Sequence, residues 1–262
     1  MNGLQIGIRA ESTGLPLRRA FAEAARAGAS GIEVEAVGDI LPTRLSETGR
    51  REFRHLLRSY NLSLTALNCP LRGTIDEPTG LDTRIAYIQS VMTLAYDLGT
   101  RVVIIENGKL PADPQSPRAQ LLAESLRGLA AHGDRTGVTL ALETGLDGGD
   151  VLATFLEKFD TGSLGVNFDT GNMLINGFHP IDHLLPLRKY LVHLHARDIR
   201  QGSMNRLAAE VSLGAGSIDW LNLLATLSVI EYTGYVVVDR EQGENRLADL
   251  LAGVAFLKRI SG

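Results

Sequence analysis

Residues 138–143 read VTLALE: an apolar, β-rich run of six residues closed by a carboxylate. Upstream, residues 117–132 (PRAQLLAESLRGLAAH) repeat their apolar positions at helical spacing and stop before Gly133, which predicts a helix ending there. Downstream, a second helical stretch at 151–159 leads into another short run closed by a carboxylate, LGVNFD at 164–169. The same alternation extends in both directions to cover the chain. Strands are predicted at LQIGI (4–8), GIEVEA (31–36), LSLTAL (62–67), RVVIIE (101–106), LVHLH (191–195) and YVVVD (235–239). Helices are predicted at 16–27, which begins with Pro16 and stops before Gly28, and at 46–60, 81–98, 180–189, 217–229 and 244–260. Eight strands, each followed by a helix at spacings of roughly 25 to 45 residues, are repeated βαβ units. The expected fold is a single (β/α)8 TIM barrel, with residues 1–262 as one domain. The rival, an open doubly wound sheet, usually carries a glycine fingerprint after its first strand, and IRAESTG (8–14) has none.

Composition narrows the chemistry. At 262 residues and 44% apolar content, the chain can bury one large core. A net charge of −4 supplies no positive field to recruit a nucleic acid or an anionic membrane. Cys69 is the single cysteine, so an internal disulfide and a thiolate-based metal site are both excluded. MNGLQIGIRA lacks the pattern of a signal peptide, and no run reaches the ~18 apolar residues of a membrane span. A soluble, cytoplasmic chain is expected. Nothing in the sequence decides whether it forms a homo-oligomer.

In a parallel barrel the active site lies at the C-terminal ends of the strands. Four consecutive predicted strands end in a residue able to bind a metal: Glu143, Asp169, His195, and Asp239 with Glu241 two residues on. Strand alternation puts Asn167 on the face of Asp169, and His193 on the face of His195. Each residue alone has a plainer role, Asp169 as a helix N-cap or His195 as a core histidine, but four on adjacent strand ends point to one mouth. One imidazole with several carboxylates and no thiolate suits Mn²⁺, Mg²⁺ or Co²⁺, and favours Zn²⁺ less. His193 lies about 6.6 Å deeper than His195, at ~3.3 Å rise per residue, too far for both to hold one ion.

With ALETG (141–145), NFDTGN (167–172), HARD (195–198), LGAGSIDW (213–220) and GYVVVDREQG (234–243), the chain resembles the xylose isomerase-like sugar-phosphate isomerases and epimerases. These barrels also include ketose 3-epimerases, inosose dehydratase and endonuclease IV. LGTRVVI (98–104) looks like the family's fourth strand, and the resemblance spans nearly the whole chain. It implies one divalent cation held by a Glu, an Asp, a His and a final Glu. Glu143, Asp169 and His195 match the first three. At the fourth, Asp239 falls on the family's Glu but is one methylene shorter, and Glu241 shares its face; either is a candidate ligand.

The implied reaction is isomerisation or epimerisation of a small carbohydrate by removal of a proton next to a carbonyl. The ion stabilises the resulting enediolate, and Glu143 and the acid of the last strand, Asp239 or Glu241, flank the substrate as catalytic groups. Asn172, Arg197, His193 and Glu106 are the candidate substrate contacts, with His193 supporting from below; Glu33, Glu35 and Asn107 also line the expected pocket. Loop anchoring is the competing role for Arg197 and Asp198, and Trp220 reads as core. A dehydratase or lyase acting on a keto-sugar or inosose begins with the same proton abstraction and is the closest alternative. A non-catalytic sugar-binding barrel is a further one. Abasic-site cleavage fits poorly, because Asn172 stands where that activity needs a histidine and the net charge is negative.

Overall fold

The computed structural model describes residues 4–202 and 208–262. Eight parallel strands close into a barrel: β1 (Gln5–Arg9), β2 (Gly31–Glu35), β3 (Ser63–Asn68), β4 (Val102–Ile105), β5 (Thr139–Glu143), β6 (Leu164–Asp169), β7 (Leu191–Ala196) and, after a two-stranded hairpin, β10 (Tyr235–Val238). Each strand pairs with its sequence neighbour in the barrel, and β1 closes the ring against β10 with Ile8 opposite Val238. The hairpin, β8 (Asp198–Arg200) and β9 (Ala209–Val211), was not expected from the sequence; its strands of three residues are too short to show a period. No helix among the described residues is long and apolar enough to cross a membrane.

The larger apolar cluster fills the layer between the strands and the surrounding helices. A small one, Ala66, Ile104 and Ala141, lies on the inner face, where Ile104 pairs with Ala141 two residues below Glu143. Near the centre, Gly7 leaves no room for a side chain: a Cβ there would stand 2.9 Å from Val237 Cγ2 and 3.2 Å from Thr65 Cγ2.

Helix boundaries follow local chemistry, with one correction. Helix α1 (Leu17–Ala27) ends at Gly28 in the left-handed conformation, φ 76°, as the sequence predicts. Helices α2 (Glu47–Ser59) and α3 (Leu81–Leu98) follow. Helix α4 (Pro117–Thr136) does not stop before Gly133 but runs one turn further, to Gly137 with φ 68°. Gly133 serves close packing instead: a Cβ there would lie 2.5 Å from the Val138 carbonyl oxygen and 2.6 Å from Ser163 Cβ. After α5 (Gly149–Leu156) comes a second unexpected element, the short α6 (Thr170–Ile175), before α7 (Pro180–Leu187), α8 (Trp220–Val229) and α9 (Arg246–Ile260). Asp169 caps α6 by accepting a hydrogen bond from the Asn172 amide at 2.7 Å.

Candidate active site

Strand register places the chemistry. Glu143 stands opposite Asn167, and Asp169 opposite His195, so β5, β6 and β7 deliver their polar ends to one point at the barrel mouth. His195 Nδ1 lies 3.6 Å from Asp169 Oδ2 and 3.9 Å from Glu143 Oε2. One donor atom from each of the three residues falls within 4.8 Å of the others. Asp169 caps α6 with one oxygen, as the sequence allowed, while the other faces His195 and Arg197.

The other ring nitrogen of His195 is committed. Nε2 lies 2.6 Å from Glu33 Oε2, and Asn167 Nδ2 lies 3.0 Å from Nδ1. Glu33 on Nε2 is the carboxylate–histidine arrangement that orients a metal-binding imidazole, and it leaves Nδ1 among Asn167, Asp169 and Glu143. Asn167 also joins the layers. Its Oδ1 meets His193 Nδ1 at 2.9 Å, and His193 Nε2 meets Thr65 Oγ1 across the barrel at 3.2 Å. His193, 1% exposed, lies between Asn167 and Thr65 beneath the mouth.

Burial disfavours charge on His195, but Glu33, Asp169 and Glu143 outweigh it and raise the imidazole well above its ordinary range. Burial would also raise Glu33, yet His195, His193 and Arg9 hold it down at about 2. Glu143 moves the other way: burial, reinforced by Asp169, lifts it to about 8 despite His195 and Arg9. Glu33, Asp169 and Glu143 thus surround the His195 imidazole, with Arg9 3.7 Å from Glu33 and Arg197 3.1 Å from Asp169. The donor set Glu143, Asp169 and His195, one imidazole with two carboxylates, has the chemistry to hold a divalent ion.

Asp239 and Glu241 are not brought into this group among the described residues. Asp239 Oδ2 lies 3.1 Å from Arg9 Nη1, and its Oδ1 accepts from Ser12 Oγ and, at 2.6 Å, from the Arg240 amide. Glu241, its side chain 44% exposed, bridges Arg9 Nη1 at 3.5 Å and Arg197 Nη2 at 2.8 Å. Arg197 is buried and tied to Asp169 at 3.1 Å, Asn172 Oδ1 at 2.9 Å and Glu210 at 3.0 Å. Asn172 in turn donates from Nδ2 to Glu143 Oε1 at 2.7 Å. Glu35 is half-buried and salt-bridged to Arg9 at 2.7 Å. Glu106 is exposed at the end of β4, and Asn107 is buried with its Oδ1 unpaired.

The loop residues of HARD and LGAGSIDW have a structural explanation. Buried Asp198 accepts hydrogen bonds from the amides of Gly214, Gly216 and Ile218 and from Trp220 Nε1, so it anchors the loop. The residue the sequence reading passed over is Arg9. It ends β1 just as Glu143 ends β5, so extending the strand-end reading to the first strand finds it. Ser12 and Glu210 carry no such signal: one sits on a short turn after β1, the other on the unexpected hairpin.

Comparison with known proteins gives a consistent picture. Residues 21–260 match the family model of the xylose isomerase-like TIM barrel. The rhizopine catabolism protein MocC of Rhizobium meliloti is 28% identical over 198 residues, 63% of this chain and 60% of that protein. Inosose dehydratase of Salmonella typhimurium is 28% identical over 140 residues, 47% of this chain and 46% of that enzyme. The matches therefore span between about half and three fifths of these relatives' lengths. Among solved structures, a xylose isomerase domain protein from Planctomyces limnophilus superposes with a TM-score of 0.87 at 22% identity, covering 98% of this chain and 97% of that one. The probable 3-DHS dehydratase AsbF from Bacillus anthracis does so at 0.80 and 18% identity, covering 97% and 98%. At these identities the structural likenesses show the fold.

Proposed function

Since the chain belongs to the xylose isomerase-like TIM barrel family, we propose that it is a metal-dependent enzyme that removes a proton next to the carbonyl of a keto-sugar or inosose. The observation carrying this reading is the Glu143–Asp169–His195 group at the barrel mouth, with Glu33 holding the far side of the histidine. Those three residues would hold the ion. When bound, the ion supplies Lewis-acid stabilisation of the oxygen that gains charge and a template for the neighbouring hydroxyl. Mn²⁺ suits the oxygen-rich donor set, and Mg²⁺, Co²⁺ and Zn²⁺ are the alternatives for the test.

Glu143 is the base. Its Oε2 faces the donor group, which leaves Oε1, held by Asn172 Nδ2, to take the proton. Asn172 donates to Glu143, and Arg197 donates to Asn172, so the two hold the base in place.

Isomerisation or epimerisation is the first reading of the steps after deprotonation, and inversion at carbon needs a second acid–base group on the opposite face. Asp239 and Glu241 are the two candidates for that role, and both are engaged: Asp239 with Arg9, Ser12 and the Arg240 amide, and Glu241 with Arg9 and Arg197. That observation favours the second reading, in which Glu143 alone removes the proton and a β-hydroxyl leaves as water, the reaction class named for the inosose dehydratase relative.

The test incubates the metal-loaded enzyme in D₂O with a panel of ketoses, keto-sugars and inososes, followed by NMR and mass spectrometry. Deuterium washed into substrate or epimer supports isomerase chemistry, and loss of one water supports dehydration. Glu143→Gln should slow either by roughly 10²–10⁴-fold. Near wild-type exchange in that variant sinks the role of Glu143.

A further inference from the structure

A half-buried arginine, its side chain 13% exposed, stands at the mouth near the Glu143–Asp169–His195 group. Arg9 ends β1, and β1 pairs with β10 so that Ile8 stands opposite Val238. The next residue on each strand, Arg9 and Asp239, is therefore level with the other. Their side chains meet at 3.1 Å, and both are largely withdrawn from solvent. The Arg9 guanidinium also contacts Glu35 at 2.7 Å, and its buried Nε, without a hydrogen-bond partner, faces Glu33 Oε1 at 3.7 Å.

We propose that Arg9 holds Asp239 as its own counter-ion, outside a three-ligand centre of Glu143, Asp169 and His195. The inference rests on the metal-dependent reading above. Asp239 lies outside the group in which Glu143, Asp169 and His195 each bring a donor atom within 4.8 Å of the others; its Oδ2 faces Arg9, and its Oδ1 accepts from Ser12 Oγ and the Arg240 amide. Turning Asp239 toward an ion would strip a half-buried guanidinium of a partner and set it beside a second positive charge, and both changes are unfavourable at low dielectric. The shorter aspartate suits the purpose, because it keeps the carboxylate close to its own strand and in step with Arg9. A centre with three protein ligands leaves more positions open to substrate oxygens.

The experiment is Mn²⁺ titration of chelator-treated full-length protein, followed by calorimetry and by the electron paramagnetic resonance signal of free Mn²⁺. Wild type should bind one ion; Glu143→Gln and Asp169→Asn should weaken it by a hundredfold or more. Asp239→Asn should stay within about tenfold of wild type, the lower edge of what removing a group outside the ligand set costs. If Asp239→Asn fails to fold, the double variant Arg9→Met with Asp239→Asn removes both charges together and should bind Mn²⁺ at least as tightly as wild type. A loss in either Asp239 variant as deep as in Asp169→Asn overturns the proposal while leaving the metal reading intact. No Mn²⁺ binding to wild type overturns both.

Discussion

At the residue scale, the cluster is governed by which atom each side chain has left to offer. Glu33 engages His195 Nε2 at 2.6 Å, so its removal should free the ring to rotate. Glu33→Gln is expected to weaken Mn²⁺ binding by about 10–100-fold while the fold survives, as read by titration and circular dichroism. Glu11 offers a pH-dependent test away from the ion. Burial, against the hydrogen bond it accepts from the Glu35 amide, raises its carboxyl to about 7. A raised carboxyl binds its proton more tightly in the folded state, so stability is highest below the ordinary value near 4.5 and declines as pH climbs through 7. Urea unfolding at pH 5 and pH 8 should show this decline, of order 2 kcal/mol, reduced in Glu11→Gln. An unchanged difference in that variant would assign the pH dependence to another group.

At the element scale, the strand ends were the informative positions. Glu143, Asp169 and His195 are legible because each closes an apolar run, and parallel pairing makes strand ends converge. Helix ends were less legible where glycine has two uses. Gly28 terminates α1 through its backbone conformation, whereas Gly133 sits inside α4 because the helix presses against Val138 and Ser163. Gly133→Ala must push against a backbone carbonyl, and should destabilise the protein by roughly 1–3 kcal/mol despite alanine's higher helix propensity, read as a fall in Tm. A rise in Tm would mean the helix can shift without cost. The hairpin β8–β9 was invisible because three-residue strands have no periodicity, yet it brings Glu210 to Arg197 and to the amides of Glu241 and Gln242.

At the scale of the whole molecule, the barrel is one cooperative layer around a filled interior. Cys69, fully buried with its thiol pushed up to about 12 by burial, reports on that layer. A thiol reagent should leave it unmodified in the native protein and react at the rate of unfolding; fast labelling at neutral pH would mean the β3 end opens locally. The barrel, its eight strands and three residues of the site were already written in the linear chain. Alternating short apolar runs with amphipathic helices leaves few ways to bury both, and parallel strands carry their ends to one mouth. The pairing of Asp239 with Arg9 is visible only in three dimensions. Arg9 and Asp239 lie 230 positions apart in the chain and become neighbours only when β1 closes the ring against β10. Closure is a property of the whole sheet, so no local pattern around YVVVD records which charge will stand beside its last carboxylate.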